Sequence, residues 1–526
     1  MHNLLVGLAG LGNVRVIIAL IVGSCFGLVL GSFPGLGPAS VLIVALPLTY
    51  RFSAVIALTF MGAAYTSAVY GGAITAILYR VPGHPGNIAT VFDGYPLAQS
   101  GQAALALAAT AAAGCVGGLL ATVFVFGLGP LVSRLAVLVT PADYFLLAIF
   151  GLTMVALTSK GNQIQGLLLG ALGLAVSTIG QDPLDGSYRL FFGSEFLKNN
   201  GIPLGILAIG IFAIGSAFFM VQTRIGVVSQ AVDSKQSVLG NHRFRSLGQG
   251  LAAVKEHPFS ILRSAIVGIV TGIIPGLGIV VSNVLAYRVE QKFNPSARWG
   301  TGYIVGVMAP ETADNATLVA ELVPAFSLGI PGAVTSAIML SALAVHGIQA
   351  SPDFYINMTS TVSEIFAAIG VSQIVFALLG FVFAPAIARL AQVSPKLLGP
   401  AILIAGFTGV FASRGLFGDE VVALVAGVVG LMIFNLRLPL APLLIGVVLG
   451  PLAEENFVRA RLVASTSHTS FFHGPATVAL ACLVGLAVCA IAILVFREIV
   501  GTIWVRNTNV PLEDEFLERI SEEEQP

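Results

Sequence analysis

Charge is what this chain has least of. Lysine, arginine, aspartate and glutamate make up 10% of its 526 residues against 56% hydrophobic ones, and mean hydropathy is +0.94. A soluble globule needs roughly 25% charged residues to solvate its surface, so lipid must face most of this one, and the length does not translate into several soluble domains. With 25 basic and 25 acidic residues there is no excess positive charge to recruit nucleic acid. Cysteine is scarce too. Cys25, Cys115, Cys482 and Cys489 lie in apolar stretches without CxxC spacing, which favours small buried hydrophobes over disulfides or zinc. His84 and His346 lack a second histidine at ligand spacing, so no metal is expected beyond sodium. A GxxxxGK[ST] phosphate loop, an HExxH helix, a GxSxG elbow and a strand-to-helix GxGxxG turn are all missing. Neither enzyme chemistry nor an organic cofactor is therefore expected. A basic n-region and a small-residue cleavage site are also missing at the start, so no removable signal peptide is expected.

What is present is apolar length, broken by glycine and proline. Apolar segments run over 14–31, 53–70, 103–130, 142–158, 163–180 and 202–222, and resume over 263–287, 299–309, 317–350, 358–392, 397–412, 420–434, 438–453 and 475–505. At the ~20 residues a crossing needs, these predict an all-α polytopic membrane protein of about 12 crossings plus broken or re-entrant half-helices. The intervening stretch 223–262 holds Arg224, Lys235, Arg243, Arg245, Lys255 and Arg263 against Asp233 and Glu256, which reads as cytoplasmic. The expected organisation is a first membrane repeat (1–222), this basic connecting loop (223–262), a second repeat (263–457), an extra C-terminal crossing (458–505) and an acidic tail (506–526).

The two halves share an ordered series of landmarks. GLVLGSFPGLGPASV (Gly27 to Val41) answers GIVTGIIPGLGIVVS (Gly268 to Ser282). ILYRVPGHPGNIATV (Ile77 to Val91) answers FSLGIPGAVTSAI (Phe326 to Ile338), and VTPADYFLLAIFGLT (Val139 to Thr153) answers VSPKLLGPAILIAGFT (Val393 to Thr408). Matched interruptions in two halves are the pattern of secondary transporters, whose unwound helices meet near the bilayer midplane. An inverted relation between the halves is the preferred reading. A channel is the competing one, but channels usually build filters by symmetry between subunits, whereas this chain duplicates internally.

The series FPGLGP (Phe33 to Pro38), YGGAITAIL (Tyr70 to Leu78), VPGHPGNIATVFDGYPLAQSG (Val81 to Gly101), APETADNA (Ala309 to Ala316), LVPAFSLGIPG (Leu322 to Gly332), LAVHGIQASP (Leu343 to Pro352) and PLAPLLIGVVLGPLAEENF (Pro439 to Phe457) resembles the large membrane subunit of the tripartite tricarboxylate transporters. The resemblance spans roughly residues 15–460. It implies a multi-pass subunit of a bacterial inner-membrane uptake system, working with a small membrane subunit and a periplasmic substrate-binding protein. It further implies that a carboxylate is carried by symport, driven by a sodium or proton gradient. Asp314 departs from that family's frequent asparagine, and PGLGIVVSN lacks the proline that follows PGLG in the first half.

Candidate residues follow from the breaks. Gly35, Gly37, Gly276 and Gly278 in the two PGLG loops would let backbone approach a coupling ion, or else pack helices tightly. Gly83, Gly86, Asn87, Gly329 and Gly332 lie at the second breaks, with Thr90, Thr335 and Ser336 just after; they are the candidate substrate-binding groups. The hydroxyls have an alternative, bonding back to their own helix. Glu311, Asp314 and Asn315, with Glu321 beyond, form an acidic patch suited to a proton or cation, or a solvated loop over 310–317. Asp93 carries the same ambiguity. Arg80 either meets a substrate carboxylate or snorkels to a headgroup.

Overall fold

The computed structural model describes residues 2–33, 36–136, 139–159, 162–181, 186–223, 243–275, 277–351, 354, 359–390, 395–467, 471 and 474–508. The first half consists of α1 (His2–Gly10), α2 (Val14–Gly31), α3 (Pro38–Thr49), α4 (Ala54–Tyr79), α5 (Ile88–Leu97), α6 (Ala103–Ala136), α7 (Pro141–Thr158), α8 (Gln163–Ser177), α9 (Glu195–Asn200), α10 (Leu204–Ala208) and α11 (Gly215–Thr223). A 3-10 turn over Pro85–Asn87 leads into α5, and wide π-type turns over Ala98–Gln102 and Ile209–Ile214 join α5 to α6 and α10 to α11. The second half consists of α12 (Arg243–Glu256), α13 (Pro258–Ile273), α14 (Gly278–Phe293), α15 (Val305–Ala320), α16 (Leu322–Leu328), α17 (Val334–Val345), α18 (Thr359–Leu390), α19 (Pro395–Arg414), α20 (Phe417–Asn435), α21 (Leu440–Ser467) and α22 (Pro475–Thr508). Among the described residues the only sheet is a two-residue pairing, Gly180 with Arg189 and Gln181 with Tyr188.

The all-α membrane architecture is as expected. Among the described residues eight helices are long and apolar enough to cross a bilayer, and six shorter apolar helices of 10–17 residues accompany them. The estimate of about 12 crossings therefore resolves into fewer full spans and more partial ones. Within the basic stretch 223–262, Arg243–Glu256 is a helix, and the next helix starts at Pro258 rather than at 263. Residues 224–242 and 509–526 lie outside the described residues. The apolar segment read as 53–70 continues to Tyr79, because Gly71 and Gly72 do not interrupt the helix; it ends instead at Arg80, in the left-handed conformation (φ 57°).

Repetition in the sequence is repetition in packing. In the first half, Gly27 and Gly31 of α2 press on Ala64 and Ala68 of α4; in the second, Gly268 and Gly272 of α13 press on Ala313 and Thr317 of α15. A Cβ at Gly27 would stand 2.0 Å from the Ala64 carbonyl oxygen, and one at Gly268 2.3 Å from that of Ala313. The helices that follow end alike, at left-handed Arg80 and left-handed Gly329. Beyond the breaks, each half lends a long helix to the other: α6 packs on α15, and α18 packs on α4. Those two long helices cross each other in opposite directions, Gly114 beside Phe376, Gly118 beside Gln373 and Thr122 beside Gly370. Equivalent helices that meet antiparallel are related by a two-fold axis perpendicular to them, which is the inverted arrangement.

Candidate functional site

The centre of the molecule is α15, every residue of which from Val305 to Ala320 is buried. The reading of 310–317 as a solvated loop is thereby overturned: the acidic patch sits mid-helix, in the interior. Pro310 lies inside this helix, where it removes the N–H that would bond the Gly306 carbonyl. Glu311 and Asp314 (i, i+3) and Glu311 and Asn315 (i, i+4) share one side of the helix. Glu321 stands at the joint between α15 and α16 and is equally buried.

Each of these acids is held by neutral donors. Glu311 Oε1 accepts from Thr90 Oγ1 at 2.6 Å and from Asn87 Nδ2 at 3.1 Å. Glu321 Oε1 accepts from Thr335 Oγ1 at 2.7 Å, and the Tyr65 hydroxyl lies 2.9 Å from that oxygen and 2.9 Å from Thr335 Oγ1, so its one proton serves either. Asp314 Oδ2 accepts from Asn283 Nδ2 at 2.9 Å, while Asn283 Oδ1 accepts from the Ala89 N–H at 2.9 Å. The second oxygen of all three carboxyls (Glu311 Oε2, Glu321 Oε2 and Asp314 Oδ1) has no protein partner. Among the described residues no ion pair includes any of them; the buried acids that do have cations are Glu290 with Arg263 (2.7 Å) and Asp419 with Arg414. An ionised carboxylate buried without a cation is costly by many kcal/mol, so each must take a proton or a bound cation for at least part of the time.

The predicted substrate-binding residues are thus drawn into two clusters. Asn87 and Thr90 gather on Glu311 at the first break, and Thr335 on Glu321 at the second. Ser336 joins the second cluster through its backbone N–H, which bonds Glu321, while its hydroxyl donates to the Ala333 carbonyl and accepts from the Ala333 N–H, both at 2.9 Å, closing the first turn of α17. Gly83 lies flush against Gly72, with its N–H donating to the Gly72 carbonyl at 3.3 Å, and Gly332 lies against Glu321 and the Gly272 carbonyl. Gly83 and Gly332 are equivalent positions, so Gly72 is the first-half counterpart of Glu321. The space a side chain at 72 would need holds Asn87 Oδ1 and the His84 ring, 2.4 and 2.9 Å from a Cβ built there. Gly86 faces His84 and Ile279, and Gly329 supplies the left-handed end of α16.

The PGLG loops are brought to the same breaks. Gly37 is extended (φ −67°, ψ 172°) and abuts His84, while Gly278 is left-handed (φ 59°) and abuts Ala333. The missing second-half proline follows from this difference: Pro38 opens α3 with Gly37 before it, whereas Gly278 is itself the first residue of α14. Gly35 and Gly276 lie outside the described residues. Asn315 donates to the Glu311 backbone carbonyl at 3.0 Å, and its Oδ1 has no protein partner.

Two further residues have structural duties. Asp93 is a clasp between halves: Oδ1 accepts from the N–H groups of Gly300, Gly302 and Tyr303 at 2.8–3.0 Å, and Oδ2 accepts from the Tyr287 hydroxyl at 2.8 Å. Arg80 lies over the Tyr95 ring at 5.8 Å, a cation–π contact. Sequence reasoning missed Tyr65, Asn283 and the role of His84. Tyr65 and Asn283 had one signal, a polar group inside an apolar run. His84 accepts at Nδ1 from the Gly86 N–H at 3.0 Å; its proton is thereby assigned to Nε2, which is buried and has no protein partner.

The model of a family described as "Tripartite tricarboxylate transporter TctA family" matches residues 17–445. The "Uncharacterized 52.8 kDa protein in TAR-I ttuC' 3'region" of Agrobacterium vitis is 29% identical over 474 residues, covering 90% of this chain and 92% of that protein. The "Uncharacterized protein in TAR-II ttuC' 3'region" of the same organism is 30% identical over 229 residues, covering 43% of this chain and 93% of that protein. No solved structure matches.

Proposed function

The chain belongs to the tripartite tricarboxylate transporter TctA family, and from that premise we propose that it is the large transmembrane subunit of a binding-protein-dependent secondary transporter importing carboxylates. A periplasmic binding protein hands the substrate to this chain and its small membrane partner, in the bacterial inner membrane. A sodium or proton gradient supplies the driving force by symport. The observation that carries the coupled reading is the trio Glu311, Asp314 and Glu321: buried, held only by neutral donors, and without a cation among the described residues. Such groups exchange protons or cations as their surroundings change. They lie where the broken helices of the two halves converge, which is where transporters of this design hold substrate and ion.

The test is uptake into proteoliposomes containing this chain, its small partner and a cognate binding protein. Labelled citrate and shorter carboxylates are offered with a sodium gradient, a proton gradient, and none. Accumulation that follows a gradient and disappears without the binding protein is the expected result. Downhill leakage indifferent to both would replace this reading with a channel.

A further inference from the structure

The side chains best suited to grip a substrate carboxylate at the first break, Asn87 Nδ2 and Thr90 Oγ1, are already gripping one: that of Glu311. Both are fully buried, and they reach Glu311 across the boundary between the two halves. Beside them, the buried Nε2–H of His84 is a donor with no protein partner, and His84 and Asn87 flank the same glycine, Gly72. Three donors are gathered here, alongside two oxygens without a protein partner, Asn87 Oδ1 and Glu311 Oε2; the donors suit an anion, and Glu311 Oε2 is open to a proton.

We propose that Glu311 is an internal stand-in for the substrate's carboxylate at the first break, and that a proton taken up by Glu311 releases Asn87 and Thr90 to the substrate. This rests on the transport reading above. An ionised Glu311 holds both donors through charge-assisted bonds, roughly twice as strong as neutral ones, and repels an incoming anion. A proton from the outer solution, added at Glu311 Oε2, removes both obstacles. Substrate then binds the freed donors together with His84 Nε2–H. When substrate leaves inward, Glu311 gives its proton to the inner solution and retakes the donors. One proton and one substrate cross together, with nothing else transferred.

Of the ionisable groups around Glu311 the nearest is Asp314, on the next turn, itself a buried acid without a cation among the described residues. From α4 the facing group is Tyr70, whose hydroxyl donates to the Leu107 carbonyl at 3.2 Å. The 3-10 turn brings His84, α5 brings Asp93 with its four donors, and α6 brings Cys115. On α14 and α13, Tyr287 bonds Asp93, and Glu290 is paired with Arg263. Across the joint, Glu321 and Tyr65 bond each other.

The experiment is calorimetry of citrate binding to the purified complex of this chain and its small partner, in buffers of differing ionisation enthalpy, at two pH values about two units apart. Wild type should take up about one more proton per citrate than E311Q, and should lose affinity about tenfold more per pH unit than E311Q, in which citrate's own titration is all that remains. T90V should bind citrate about tenfold or more weakly, and T90S should restore binding. Size-exclusion and melting profiles establish that each variant is folded. If E311Q does not fold, the T90V and T90S pair decides, because a purely structural Thr90 would leave citrate affinity unchanged. Equal proton counts in wild type and E311Q, or accumulation driven by sodium without proton uptake, overturn the stand-in while leaving the transporter intact. Absence of any gradient-driven carboxylate accumulation in proteoliposomes overturns the transport reading and this one with it.

Discussion

The hydroxyl of Tyr65, on α4, lies 2.9 Å from Oε1 of Glu321, at the joint of α15 and α16, so a phenol from one half of the chain and a carboxylate from the other share a proton-rich contact in the interior. Thr335 completes a triangle with them.

Replacing Tyr65 with phenylalanine removes one donor and leaves the ring's packing in place. The expected cost is about 1–2 kcal/mol of stability, with a lower uptake rate. A double-mutant cycle of Y65F with T335V should show coupling of about 0.5 kcal/mol or more. Additive behaviour in thermal melts of the detergent-solubilised protein would show that the triangle does not act as a unit.

Asp314 stands where the resembled family often has asparagine, and its one protein partner is the Asn283 amide. Asparagine at this position still accepts from Asn283, so D314N should fold, melt at the same or a higher temperature, and keep gradient-driven uptake. E311Q and E321Q should each cut uptake at least about tenfold, an effect of roughly 1.4 kcal/mol or more on the transport barrier. Parallel uptake assays of the three variants check this ranking.

Asp93 satisfies three backbone N–H groups and one phenol. Alanine would strand the buried Tyr287 hydroxyl, at about 1–3 kcal/mol, and would leave the exposed Gly300 N–H and the half-buried Gly302 and Tyr303 N–H groups to water. D93A should accumulate poorly and melt well below wild type; D93N, which keeps one acceptor oxygen, should fall between. Equal melting of D93A and wild type would mean that the clasp carries no weight.

Gly27 and Gly268 occupy equivalent crossings. A methyl at either meets a carbonyl oxygen at 2.0 or 2.3 Å, and neither helix can yield without unpacking its neighbour. G27A and G268A should each destabilise by about 1–3 kcal/mol, and by similar amounts. A large effect at one and none at the other would contradict the equivalence drawn from packing.

How much of this was legible beforehand differs by scale. The helical membrane class, the duplication and the two breaks were written locally, in hydropathy and in PGLG and PG pairs that need no partner to be recognised. The site was only half legible. Thr90 and Glu311 stand 221 positions apart, and nothing near either residue announces the other. Glu321 drew notice as an acid, but its role depends on Tyr65, which sits unremarkably in an apolar run. The loop reading of 310–317 failed because proline, acids and asparagine usually mark solvent; burial by surrounding helices overrode that local preference. Asp93 was ambiguous between a functional acid and a solvated loop residue; its contacts make a clasp that neither reading named, because its donors come mostly from a backbone loop that has no side-chain signature.

Gly72 and Glu321 are counterparts, one blank and the other charged. A carrier whose halves were interchangeable would open to either side over barriers of equal height. On the transport cycle proposed above, discharge of the Glu321 carboxylate has no counterpart at Gly72. Such a carrier is a kinetic rectifier: loading from outside and from inside proceeds at unequal speeds, while the gradients alone set the final distribution of substrate.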